Sequence, residues 1–216
     1  RSTPTPSSAA SDVYKRQRLY QIQSKSMPPA SGDWIITDTT LIEYSDLIIN
    51  GSIIIEASGA LILKHARIQM NLEDPAQHYI YVKNGGNFTI IDSTITAYNT
   101  SNPYFICVEA GAKFRSEDST IRYGGYYSAS VNYATLYLEA SNAEITRTTF
   151  TENIHTQYVL YAYDCGNLVI KDSTFQDNNE AFTIVLYTTN DVIIRNNIIR
   201  NNGEEITILN SDTVNI

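Results

Sequence analysis

Short apolar runs rich in Ile, Val, Thr, Tyr and Phe recur from residue 33 to the end of the chain, separated by clusters of Gly, Asn, Asp and Ser. β-Branched and aromatic residues fit a pleated, half-buried surface, and the intervening residues are those that turns demand, so each run predicts a short strand. The segment TQYVLYAYDCGNLVIKDSTFQDNN shows the order: a Tyr-rich strand, the turn DCGN, a strand LVI, a polar corner and then Phe175. No apolar period of 3.6 residues separates the runs, which leaves no room for the crossover helices of a βαβ fold or for a leucine-rich repeat.

One phrase returns seven times, ending at Leu41, Ile68, Ile95, Ile121, Phe150, Phe175 and Ile199. With Asp38, His65, Asp92, Asp118, Arg147, Asp172 and Asn196 taken as equivalent, the spacings are 27, 27, 26, 29, 25 and 24 residues. A period in this range means stacked supersecondary units. Built from strands alone, they predict an all-β fold: a right-handed parallel β-helix of about seven coils over residues 33–216, roughly 34 Å long at the usual strand spacing. Leu168 and Ile170 should stack on Val192 and Ile194 and under Ile145, and Ile80 with Val82, Ile106 with Val108, Leu136 with Leu138 and Ile184 with Leu186 should form a second inward column. Asn71, Tyr98, Gly124, Asn153, Asn178 and Asn202 mark a turn column, where a corner needs a left-handed backbone or a side-chain amide that bonds neighbouring coils.

The ends read differently. Residues 1–32 form a low-complexity or linker segment: RSTPTPSSAAS and MPPASG carry too little apolar surface to fold, and VYKRQRLYQIQ between them predicts a short helix capping the open end of the rod. ASDVYKRQ resembles translated sequencing-adapter read-through, so this segment is set aside from the fold, and the natural start, with any signal peptide, is expected to lie outside this sequence. ILNSDTVNI stops in mid-coil, so a further repeat is expected to follow and the last coil to favour self-association.

DVIIRNNIIRNN and NLVIKDSTFQDNN resemble the carbohydrate-binding and sugar-hydrolase repeats of the pectate-lyase-like superfamily of right-handed β-helices. The stretch DWIITDTTLIEYSDLIINGSIIIEASGALILKHARI resembles the first coils of archaeal and bacterial surface or secreted β-helix proteins. The resemblance covers residues 33–216 and specifies fold rather than activity, because the same coil carries lyases, hydrolases, epimerases and non-catalytic proteins.

A net charge of -8 argues against a nucleic-acid partner, since phosphate binding needs a cationic face. No run of eighteen apolar residues occurs, so no segment of this chain spans a membrane as a helix. The two cysteines, Cys107 and Cys165, fall about two coils apart in different columns, roughly 10 Å and beyond disulfide reach, so they leave the redox compartment open.

The resemblance implies that aspartates on adjacent coils could hold calcium against a uronate while an Arg or Lys takes the proton α to the carboxylate. Asp92, Asp118 and Asp172, with Arg147 and Lys171, are the residues that could serve so, and Asp92 with Asp118 is the adjacent pair for a shared ion. No other cofactor is implied. Against this, the Asp column is broken by His65, Arg147 and Asn196, and each Asp precedes Ser-Thr, the setting of a carboxylate that caps its own turn. The DD, GHG and RIK strings of polygalacturonase-like enzymes are missing, and His65, His78 and His155 lie at unrelated offsets within their coils.

Tyrosine is the more telling residue, with sixteen in 216 positions. If Ile80 and Val82 point inward, Tyr79 and Tyr81 point outward, followed on successive coils by Phe105, Tyr137, Tyr161, Tyr163 and Tyr187, beside Lys83, Glu109, Glu139 and Asp164. Such a stripe suits sugar stacking or protein docking, although Tyr also has high strand propensity in its own right. The sequons at Asn50, Asn87 and Asn99 are compatible with a glycosylated, extracellular or cell-surface protein.

Two readings follow. The favoured one is a non-catalytic secreted or cell-surface scaffold or adhesive module, binding a polysaccharide, a glycan or other surface proteins through the aromatic stripe. The other is a polysaccharide lyase or glycoside hydrolase acting on an acidic polysaccharide in the outer groove.

Overall fold

The computed structural model of the chain describes residues 27–128, 130–139, 143–179 and 181–216; the cap helix expected over VYKRQRLYQIQ lies outside the described residues. Each coil supplies one short strand to each of three sheets. The first coil runs Trp34–Ile36, Thr39–Glu43 and Asp46–Ile49, and the seventh Phe182–Tyr187, Asn190–Arg195 and Ile198–Arg200. Glu204–Leu209 and Asp212–Asn215 then extend the first two sheets, giving eight, eight and seven strands among the described residues. Every pairing joins a coil to its neighbour in parallel register, the solenoid that the repeat period predicts.

The inward columns are those read from the sequence. Ile80, Ile106, Leu136, Leu160 and Ile184 stand in register on the first sheet, with Val82, Val108, Leu138, Ala162 and Leu186 beside them. On the second sheet Ile145, Ile170 and Ile194 stack in turn. All these side chains are buried in one continuous core. On the third sheet Phe150 and Phe175 lie flat on each other, centroids 4.7 Å apart and planes 1° from parallel, because identical residues in parallel register have only one coil step between them.

The corner between the second and third sheets turns on a single left-handed residue per coil: Tyr44, His65, Asp92, Asp118, Arg147, Asp172 and Asn196, with φ between 46° and 57°. Asp and Asn tolerate this region best, which explains their recurrence. Asp38 is not a member. Thr39–Glu43 pairs with Ala60–Lys64, which puts Tyr44 opposite His65; the string DTT imitates the corner phrase DST one turn too early.

The residue after each corner builds a ladder. Ser93, Ser119 and Ser173 each donate to the carbonyl two residues back. They also accept the backbone N–H of the corner in the preceding coil, Ser93 from Ala66, Ser119 from Ser93 and Ser173 from Thr148. This answers why Ser follows Asp in the repeat, since a hydroxyl can donate and accept where two corner amides would otherwise be buried unpaired.

A second ladder closes the turn after the third sheet. Asn153, Asn178 and Asn202 join side chain to side chain at 2.8 and 2.9 Å, and Asn71 bonds Asn50 at 2.8 Å. The left-handed backbone falls one position earlier, at Tyr123, Glu152, Asp177 and Asn201, so the Asn column serves through its amides and not through its backbone. From this turn the chain makes its longest excursion, between the fourth and fifth coils. Gly125 starts it with φ 79°, where a Cβ would collide with Thr156 and the Thr135 backbone.

Candidate ligand groove on the outer face of the first sheet

The outward columns of the first sheet follow from strand alternation and register. One carries Ile54, Tyr81, Cys107, Tyr137, Tyr161 and Val185, and the next ends in Tyr163 and Tyr187. Tyr79 lies beside Phe105, rings stacked with centroids 5.2 Å apart; Tyr137 stacks on Tyr161 at 6.1 Å and Tyr163 on Tyr187 at 5.7 Å. Alternation thus puts all seven sequence-predicted aromatics on the outer face.

They are not equally accessible. Phe105, Tyr137 and Tyr161 are 9%, 7% and 8% exposed, and with Cys107, Ala134 and Val185 they form a second hydrophobic cluster outside the rod. Its cover is the excursion, whose 3-10 turn Val131–Tyr133 sets Tyr133 edge-on against Phe105, centroids 4.9 Å apart. Tyr79, Tyr81 and Tyr187 stay half-buried and Tyr163 is exposed. Alternation alone could not reveal this cover. The signal was the spacing of 29 residues from Asp118 to Arg147, the longest of the six, spanning GGYYSAS.

Between the excursion and the sheet lies a groove of about 430 Å³, walled by Tyr79, Tyr81, Phe105 and Tyr133, floored by Ile54 and Cys107, and edged by Lys83, Ser130 and Asn132. Its polar groups are fixed. The Tyr81 hydroxyl donates to Glu109 at 2.6 Å, the other Glu109 oxygen accepts the Asn84 N–H at 2.8 Å, and Lys83 meets Glu56 at 2.7 Å. The hydrogen bond to Glu109, with partial burial, holds the Tyr81 phenol well above its ordinary value, so it stays neutral. Burial, and then the charges of Glu109 and Glu139, push the Cys107 thiol up to about 12, which leaves it apolar floor and not a nucleophile. Burial likewise raises Tyr137 and Tyr161.

The corner aspartates are engaged elsewhere. Asp92 takes His65 Nδ1 at 2.7 Å, and the His65 ring stacks on Tyr44 with centroids 4.7 Å apart. Arg147 grips Asp118 with Nε at 2.6 Å and Nη2 at 2.9 Å, and also meets Glu117. That grip holds Asp118 below the usual carboxylate range and raises Arg147 further, making it a poor proton acceptor. Lys171 stands 4.0 Å from Glu144, and Asp172 accepts from Asn196 at 3.1 Å. Asp92 and Asp118 are neighbours in one column, each bound to a cationic or imidazole partner, and among the described residues no three His, Cys, Asp or Glu side chains converge as metal ligands.

The three sequons differ in setting. The Asn50 amide is used in its ladder and toward Ala30, and Ser52 is buried. Asn87 opens a strand and is half-buried, whereas Asn99 sits in an exposed turn.

A family model described as the right-handed β-helix region matches residues 51–216, more than half of the chain. The chain therefore belongs to the right-handed β-helix family. That membership agrees with the likeness to the pectate-lyase-like superfamily and fixes the hand of the coil. Searches of curated proteins and of solved structures return no match. No helix among the described residues is long and apolar enough to cross a membrane.

Proposed function

We propose that this β-helix is a non-catalytic extracellular or cell-surface module whose rigid rod presents a saccharide-binding groove on the outer face of its first sheet. The observation that carries this reading is the groove at Tyr79, Tyr81 and Tyr133, where aromatic faces stand beside fixed polar groups in a concave, semi-apolar space. Glu56, Lys83, Glu109 and Glu139 around it sum to two negative charges, which favours a neutral sugar over a uronate. The acid and base groups that a lyase would use are locked in pairs at another corner. Asn99 is the sequon open enough to carry a glycan outside the cell.

A glycan array tests this directly. Binding of neutral glycans that falls at least about fivefold in Tyr81→Ala, and persists in Asp92→Asn and Arg147→Ala, is the expected result, since an aromatic contact contributes about 1 kcal/mol. Unsaturated uronates released from pectate or alginate with calcium, and lost in Asp118→Asn, would restore the lyase instead.

A further inference from the structure

The excursion has a second side. Beyond it, where the turns after the third sheet cluster, lies a canyon of about 480 Å³. Tyr126 and Tyr127 form one wall, with Tyr127 72% exposed, and Ile154 and Phe182 line it with them. Its polar lining is His155, Thr156, Gln157, Asn179 and Ser101.

Two features separate it from an ordinary crease. First, Tyr127 and Ile154 expose large apolar faces that packing does not require, while neighbouring Tyr104 and Phe105 are buried. Second, the side chains of His155, Gln157 and Asn179 bond no other described residue, although the backbone around them is tied: Thr156 closes its own turn onto Tyr158 at 2.7 Å and the Gln157 carbonyl accepts Phe182 N–H at 2.9 Å. Amide and imidazole groups on an anchored backbone, facing open aromatic rings, combine the two things a pyranose needs: donors and acceptors for hydroxyls, and a flat surface for its C–H face. Among the described residues no carboxylate, Lys or Arg lines the canyon, which suits a ligand without charge.

We infer that this canyon is a second saccharide site, specific for uncharged sugars, with Tyr127 as the stacking platform and Gln157 and His155 as hydroxyl partners. It does not depend on the groove over the first sheet. The excursion lines both, and Tyr126 of the canyon packs edge-on to Tyr133 of the groove with centroids 6.1 Å apart. A branched or long neutral glycan would engage both and gain by the proximity of the second site to the first.

The test is titration of the whole chain by calorimetry and protein-observed NMR with cello-, xylo-, malto- and mannohexaose. Tyr127→Ala and Gln157→Ala are compared with Tyr81→Ala, and circular dichroism confirms that each variant folds. We expect Tyr127→Ala to weaken the preferred hexaose roughly tenfold, about one stacking contact, and Gln157→Ala severalfold. Loss of binding in Tyr127→Ala with none in Tyr81→Ala would sustain this site and sink the groove over the first sheet; the reverse would sink this site alone. Failure of all four hexaoses to bind, or canyon resonances that move with a proline-rich peptide and not with sugar, would overturn the inference.

Discussion

Asn178 is the residue through which stacking of the coils can be tested quantitatively. Its Oδ1 accepts from the Asn153 backbone N–H at 3.2 Å and from Asn153 Nδ2 at 2.8 Å, and its Nδ2 donates to the Phe150 carbonyl at 3.2 Å and to Asn202 Oδ1 at 2.9 Å. Asn153 and Asn178 are both fully buried. Asn178→Ala strands two buried donors of Asn153, each costing about 1–3 kcal/mol, and entry of a water would recover part of that. We expect a loss of about 3 kcal/mol, which for a domain of this size lowers the melting midpoint by roughly 6–12 °C. Asn202→Ala, one coil nearer the end and half-buried, should cost about 1 kcal/mol. Gln176→Ala, which loses only the two exposed bonds that Arg200 donates to its Oε1, should stay within about 0.5 kcal/mol. Far-UV circular dichroism melts, checked by scanning calorimetry, supply the midpoints. An Asn178→Ala shift no larger than that of Gln176→Ala would refute the argument that the amide ladder holds successive coils together.

Three further outcomes follow from the same structure. Phe175→Ala should destabilise by about 3–5 kcal/mol, because it opens a cavity beneath Phe150 in a closed core; urea unfolding reads it. The Asp118–Arg147 pair should stabilise fully above the ordinary carboxylate pKa and fade as pH falls through the lowered Asp118 value, so melts of wild type and Arg147→Ala should converge in acid and also in high salt. Cys107, buried and with its thiol pushed up to about 12, should resist iodoacetamide at pH 8 in the folded protein and react once it is unfolded, as peptide mapping would show.

The rod was legible because parallel register repeats one letter above another. Ile145, Ile170 and Ile194 could be aligned from spacing alone, and they stack in that order. The turn amides were legible for the same reason, although their left-handed neighbours were not, since Tyr123 and Glu152 carry no sequence preference for that conformation. The Asp column looked like chemistry because a carboxylate at each corner is also what a metal site needs. In the folded rod Asp92 and Asp118 are held by His65 and Arg147, and the Ser after each Asp bonds one corner to the next, contacts that the spacing does not encode. The outward stripe was half legible: period-two alternation put Tyr137 and Tyr161 outside, but the 29-residue spacing marks only that an excursion exists and not that it folds back over the stripe.

Where a sugar sits on the rod decides between the aromatic groove and the corner aspartates. A crystal of the protein soaked with the preferred neutral oligosaccharide from the array should show a ring between Tyr81 and Tyr133 on the outer face of the first sheet. Density along the corner at Asp92 and Asp118 instead, or a ligand bridged to them by a cation, would contradict it.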